Sequence, residues 1–265
     1  MNSRYIGALV LAPFVIFLFI GGVFLKWGIL ALSLGGMYEF YKVIKNKGIH
    51  PIEIVGYLLC LIYYIPLLNS INYKNIFYIT TLAVFILLAI PVINLKYNFI
   101  DVAITLLGFL YVPVFFSFIV LVNNKTHGNY LVWLIFISAW LCDTTAYYVG
   151  KYLGKNKLCP KVSPKKTIEG SIGGIIGASV ACTIFGMAIF KFGVNIEIIH
   201  YILIGLICGI VCQFGDLVAS SIKRYAGVKD YSNLIPGHGG ILDRFDSILF
   251  SSVAVYYYLT FILQL

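Results

Sequence analysis

Long apolar runs broken by short polar passages make up almost the whole chain. Nine of the runs reach or approach the roughly 20 residues that a helix needs to cross the hydrocarbon core. They occupy 5–24, 27–43, 52–69, 75–94, 99–122, 130–149, 171–190, 197–218 and 247–264. The alternating short strands of an outer-membrane barrel are not seen. The pattern therefore predicts an all-α integral membrane protein, a polytopic bundle of about nine transmembrane helices. The first run is read as an uncleaved span, because no small-residue cleavage site follows Gly22 and the next run begins at once. No repeat or low-complexity linker divides the chain. It is read as a single polytopic membrane domain, with N-terminal helices over 1–125 and the chemistry-bearing helices and loops over 126–265.

Composition agrees with the pattern. The mean hydropathy is +0.96, and 11% of residues are charged, against about 25% in an ordinary soluble domain. The formal charge of +9 is one-sided. With nine crossings, fifteen of the 19 basic residues fall beside the N-terminus and the even-numbered loops. Positive charge collects in cytoplasmic loops, so the N-terminus and both long polar loops are expected in the cytoplasm. Such a face suits anionic headgroups or a polyphosphate. The six cysteines show no CxxC pair or zinc spacing and read as packing residues.

Acids are scarce, ten in all, and Asp143 and Asp216 lie inside predicted spans. Each lies about seven residues, roughly 10 Å at about 1.5 Å per residue, before the polar loop expected in the cytoplasm. A carboxylate there costs on the order of 2.5 to 3.5 kcal/mol on insertion scales and calls for a wet cavity, a partner or an ion. Asp243 and Asp246, spaced i, i+3, share a helix face at the start of the ninth span. If Asp216 faces them, three carboxylates surround one point, and a divalent cation such as Mg²⁺, completed by water and triphosphate oxygens, would relieve their repulsion.

The stretch KRYAGVKDYSNLIPGHGGILDRFDS supplies the complementary charge. Lys223, Arg224, Lys229 and Arg244 can neutralise a polyphosphate. Gly237, Gly239 and Gly240 would let backbone amides approach it. His238 could donate to a phosphate or shuttle a proton. A second basic passage, Lys155 to Gly174, ends in SPKKTIEGSIGG, the makings of an anion site at a helix N-terminus.

From Ser220 to Asp246, the pattern S-x-I-K-R, K-D-x-S and I-P-x-H-G-G-I-x-D-R-F-D resembles the signature of the phosphatidate cytidylyltransferase (CDP-diacylglycerol synthase) family. CDTTAYYVG and SPKKTIEGSIGG are similar to further segments of that family, so the likeness covers about residues 138 to 250. The resemblance implies transfer of the cytidylyl group of CTP to phosphatidic acid with Mg²⁺, giving CDP-diacylglycerol and pyrophosphate, in the cell (inner) membrane with the active site facing the cytoplasm. It assigns Asp216 and Asp243 to the metal, and Asp246 to the metal or to the groups around it. Lys223, Arg224, His238 and Arg244 would take phosphates and the departing pyrophosphate. Lys165, Lys166 and Ser171, with Ser220 and Lys229, would bind CTP or the lipid headgroup. Asp143 would hold a second cation or orient the basic loop. The partners are CTP, phosphatidic acid and membrane lipids, not nucleic acid, and the resemblance suggests a homodimer. A CTP-dependent polyprenol kinase and an ion-coupled transporter are the alternatives. The transporter needs neither the one-sided charge nor the PGHGG loop.

Overall fold

A computed structural model describes residues 16–68, 74–237 and 239–265. The first predicted span therefore lies mostly outside the described residues. The chain forms two compact units, one comprising residues up to Val120 together with Tyr225–Asp243, the other Leu121–Arg224 with Arg244–Leu265.

In the first unit, α1 spans Gly22–Lys45, α2 Glu53–Leu68, α3 Lys74–Ile93 and α4 Phe99–Asn123, the last running into the second unit. A break precedes α1 at Gly21 and Gly22, whose φ values of 65° and 57° suit glycine. Inside α4, Leu110–Val114 forms a π-helical turn around Pro113, whose ring cannot donate to the helix ladder. Polar groups in this apolar unit are closed into pairs, as hydrocarbon surroundings require. The Asp101 carboxylate accepts from the His50 amide at 2.7 Å and from the Asn98 amide at 2.9 Å. Thr105 Oγ1 accepts from Ile52 N at 2.7 Å, and Tyr41 Oη donates to the Thr105 carbonyl at 2.8 Å.

α5 spans Gly128–Leu153, α6 Ile168–Phe190, α7 Ile198–Ala226 and α8 Leu242–Ile262; all lie in the second unit except the last two residues of α7 and the first two of α8, which belong to the first. A hairpin of β1 (Lys157–Cys159) and β2 (Ser163–Thr167) joins α5 to α6. Glycines bring the helices together. A Cβ on Gly173 would lie 2.6 Å from Val149, and one on Gly177 2.5 Å from Thr145 Cγ2, so α6 lies hard against α5. A Cβ on Gly205 would collide with the Cα of Ser179, so α7 meets α6 backbone to backbone. Ile172, Ile176, Val180, Ile184 and Met187 form an exposed apolar stripe on α6, at the spacing of one helix face.

Among the described residues, six helices are long and apolar enough to cross a membrane: α1, α4, α5, α6, α7 and α8. α2 and the Thr80–Ile93 part of α3 are shorter apolar helices. The all-α membrane architecture is as expected; the six helices found among the described residues do not confirm the expected count of about nine. Several boundaries differ from the hydropathy reading, those of α7 and α8 for a shared reason. α7 continues to Ala226, past the expected end at 218, and α8 begins at Leu242, ahead of 247. Hydropathy falls where charged side chains begin, but backbone hydrogen bonding carries the helix on through them. Lys223 and Arg224 thus stand in the last turn of α7, where cations suit the helix dipole, and not in a loop. Asp143 and Asp216 lie correspondingly deeper, about 15 Å from the C-terminal ends of α5 and α7.

Candidate active site

The second unit encloses a cavity of about 310 Å³ between α5, the hairpin, α6 and α7. Asp143, Lys165, Lys166, Ser171, Gln213 and Asp216 all border it. At its wall, Lys166 Nζ lies 2.5 Å from Asp216 Oδ2, with side-chain exposures of 23% and 30%. Ser220 Oγ donates to Asp216 Oδ1 at 3.3 Å. Ser247 Oγ donates to Asp143 Oδ2 at 3.2 Å, and the Ser247 amide donates to the buried Asp246 at 2.7 Å. These carboxylates are close enough to feel one another. Asp216 acts electrostatically on both Asp143 and Asp246, and Asp143 on Asp246. Lys166 and Arg244 offset the charge at Asp143, as Lys223 does at Asp246. Three acids and three bases thus form one compensated cluster. An incoming anion can exchange partners with it without leaving a lone charge in an apolar setting.

Local sequence sets these positions. Thr167 ends β2 and caps α6, its Oγ1 accepting from the Gly170 amide at 3.1 Å. Glu169 reaches back to accept from the amides of Lys155 at 3.1 Å and Asn156 at 3.2 Å, which clamps the hairpin to the helix start. Gly150, Gly154 and Gly170 leave room around the Thr167 hydroxyl. Lys165 and Lys166 are thereby held at the cavity. Losing the cap in Thr167→Ala should cost about 1 kcal/mol. A lowered thermal midpoint in detergent with Thr167→Ser near wild type is the expected result, and equal midpoints for Ala and Ser would count against the cap. Gln213 ties α7 to α6 by donating to the Ser171 carbonyl at 3.1 Å.

The PGHGG segment belongs to the other unit. Ile235 and Gly239 pair through reciprocal backbone bonds of 2.8 and 3.1 Å, closing a tight turn with φ of 74° at Gly237 and 86° at Gly239. Asp243 Oδ2 accepts from the amides of Tyr231 at 2.8 Å and Gly240 at 2.9 Å, so its carboxylate holds the loop together. Lys229 is exposed, and the role expected of His238 lies outside the described residues.

The structure brings Asp143, Asp216 and Asp246 into mutual influence together with Lys166, Lys223 and Arg244. Among the described residues, no three carboxylate, imidazole or thiol side chains are gathered closely enough to hold a metal ion by themselves. The donors at the cluster are all hard oxygens, which fits Mg²⁺ only if water and phosphate oxygens complete its shell. Ser247, Gln213 and Thr167 carry no signal of their own in the sequence. Glu39 does: it is one of ten acids and lies within a predicted span, the argument that singled out Asp143 and Asp216.

The fold and this cluster define a polytopic membrane protein with a phosphate-compatible, charge-compensated cavity. Residues 2–262 match the Cytidylyltransferase family, and the chain belongs to it. It is 35% identical over 266 residues to the phosphatidate cytidylyltransferase of Bacillus subtilis (strain 168), covering 98% of this chain and 97% of that protein. It is 36% identical over 255 residues to the phosphatidate cytidylyltransferase of Staphylococcus haemolyticus (strain JCSC1435), covering 94% and 95%.

Proposed function

We propose that the protein transfers the cytidylyl group of CTP to phosphatidic acid at the cytoplasmic side of the bacterial inner membrane. The observation that carries this reading is the Lys166–Asp216 pair at the wall of the cavity, beside Lys165, in a chain whose relatives are named for this reaction. A phosphate oxygen of the lipid attacks the α-phosphorus of CTP. The bond from that phosphorus to its bridging oxygen breaks, and pyrophosphate leaves with the electron pair. Both reactants are anionic, so alignment and charge neutralisation are the main demands on the protein. Lys166 is freed from Asp216 to meet phosphate, while Lys165, Lys223 and Arg244 oppose the remaining charge. Asp143, Asp216 and Asp246 are the residues that would hold Mg²⁺. The ion would supply further neutralisation of the phosphates. The roles expected of Lys229, His238, Asp243 and Arg224 rest on the signature to which they belong.

Purified protein in mixed micelles with phosphatidic acid, CTP and Mg²⁺ should form CDP-diacylglycerol and pyrophosphate in equal amounts, and chelation should stop both. A phosphorylated lipid with CDP as the second product would instead mean a lipid kinase, and the proposal would fail.

A further inference from the structure

Glu39 is wholly buried in α1, yet the loop that carries PGHGG converges on it. Its Oε1 accepts from Ser232 Oγ at 2.6 Å and from the Ile241 amide at 2.9 Å, and its Oε2 accepts from the Leu242 amide at 2.9 Å. These are amides at the start of α8, whose first turns leave backbone donors without intrahelical partners. The approach is built into both partners. A Cβ on Gly35 would lie 2.5 Å from Ile241, one on Gly36 2.8 Å from Val112, and one on Gly240 2.6 Å from both Glu39 oxygens. Gly240, the last glycine of PGHGG, is thus required by a carboxylate some 200 residues earlier in the chain, a separation of 202 for the Ile241 bond. Asp243 secures the same loop from the other end through Tyr231 and Gly240.

We propose that Glu39 is a positioning residue that sets the 231–243 loop and the first turn of α8 for nucleotide binding, an inference that rests on the cytidylyl-transfer reading. Glu39 touches no substrate. It acts through the segment bearing Asp243 and, beside it, Lys229 and Arg244, the groups assigned to the triphosphate. Its carboxylate takes three donors, which ties Ser232 and the start of α8 to α1.

The test is Glu39→Gln, which keeps the shape and one acceptor oxygen but turns an NH₂ toward one of the α8 amides. Loss of a charged hydrogen bond should raise KM for CTP roughly tenfold, while KM for phosphatidic acid at matched surface concentration stays near wild type. Ser232→Ala should shift KM for CTP the same way but less, and serves if Glu39→Gln does not fold. Amide exchange followed by mass spectrometry should show faster exchange over 235–243 in the variant, with the α5 and α6 peptides unchanged. A purely stabilising Glu39 would reduce the active fraction and thus kcat, with KM for CTP unaltered; that result overturns the proposal. Should wild-type protein form no CDP-lipid, the reaction assignment fails separately, and unchanged 235–243 exchange in Glu39→Gln would overturn the anchoring role by itself.

Discussion

Asp216→Asn is expected to reduce CDP-diacylglycerol formation by about 10²- to 10³-fold, the scale seen when one preorganised electrostatic group is removed, while the protein still folds. The side chain keeps its size and its place at the cavity wall. What changes is charge. Asp216 is the carboxylate that pairs with Lys166 and acts on both Asp143 and Asp246. Without it, the cluster holds two acids against three bases, and a cation has lost one of its candidate ligands. The stability change should be small, because both partners of the ion pair are partly exposed and such pairs contribute about 0 to 1 kcal/mol. Lys166→Met should weaken CTP use as well, since the lysine is the group freed toward phosphate. Turnover measured on monodisperse Asp216→Asn protein decides the matter: activity within a few-fold of wild type would remove Asp216 from the chemistry.

Much of this site was legible because membrane chemistry is unforgiving. In a chain with ten acidic residues, Asp143 and Asp216 stood out by their position inside apolar runs, and both border the cavity. Lys166 stands out in the sequence through the family resemblance, as a group for CTP or the lipid headgroup, but its pairing does not: Asp216 lies on another helix, 50 positions on, and spacing along the chain carries no record of it. The β-hairpin was missed because SPKKT has neither the apolar alternation of a half-buried strand nor a glycine turn. Its order comes from Glu169 and Thr167 binding backbone amides. The glycines of PGHGG read in the sequence as room for backbone amides to approach a phosphate; the structure adds a tight turn at Gly237 and Gly239 and space at Gly240 for the Glu39 carboxylate. A glycine announces close approach, but not what approaches. Helix ends were misread at α7 and α8 because hydropathy follows the membrane, while hydrogen bonding continues into the charged turns.

Gly205→Val is expected to be severely damaging although it lies away from the charged cluster. The contact it disturbs is between backbones: a Cβ there would collide with Ser179 Cα and stand 2.8 Å from the Ala178 carbonyl and 2.9 Å from Ser179 N. A side chain can turn aside, as Val149 could attempt opposite Gly173, but helix backbone cannot. α7 would have to withdraw from α6, breaking the 3.1 Å bond from Ser179 Oγ to the Ile202 carbonyl and loosening the one from Gln213 to Ser171. Overpacking commonly costs about 1 to 3 kcal/mol, occasionally more, and this site lies toward the upper end because relief requires moving a whole helix. Function should fall with stability, since α6 carries Ser171 and α7 carries Asp216 on the cavity wall. Gly205→Ala should show a lowered thermal midpoint with partial turnover, and Gly205→Val should elute as aggregate without activity. Gly193, with open space around it, provides the contrast: Gly193→Ala meets only the strain of its φ of 83° and should remain monodisperse and active. A Gly205→Val protein with wild-type midpoint and turnover would mean that α6 and α7 are not held at backbone contact, and that the cavity wall does not depend on their apposition.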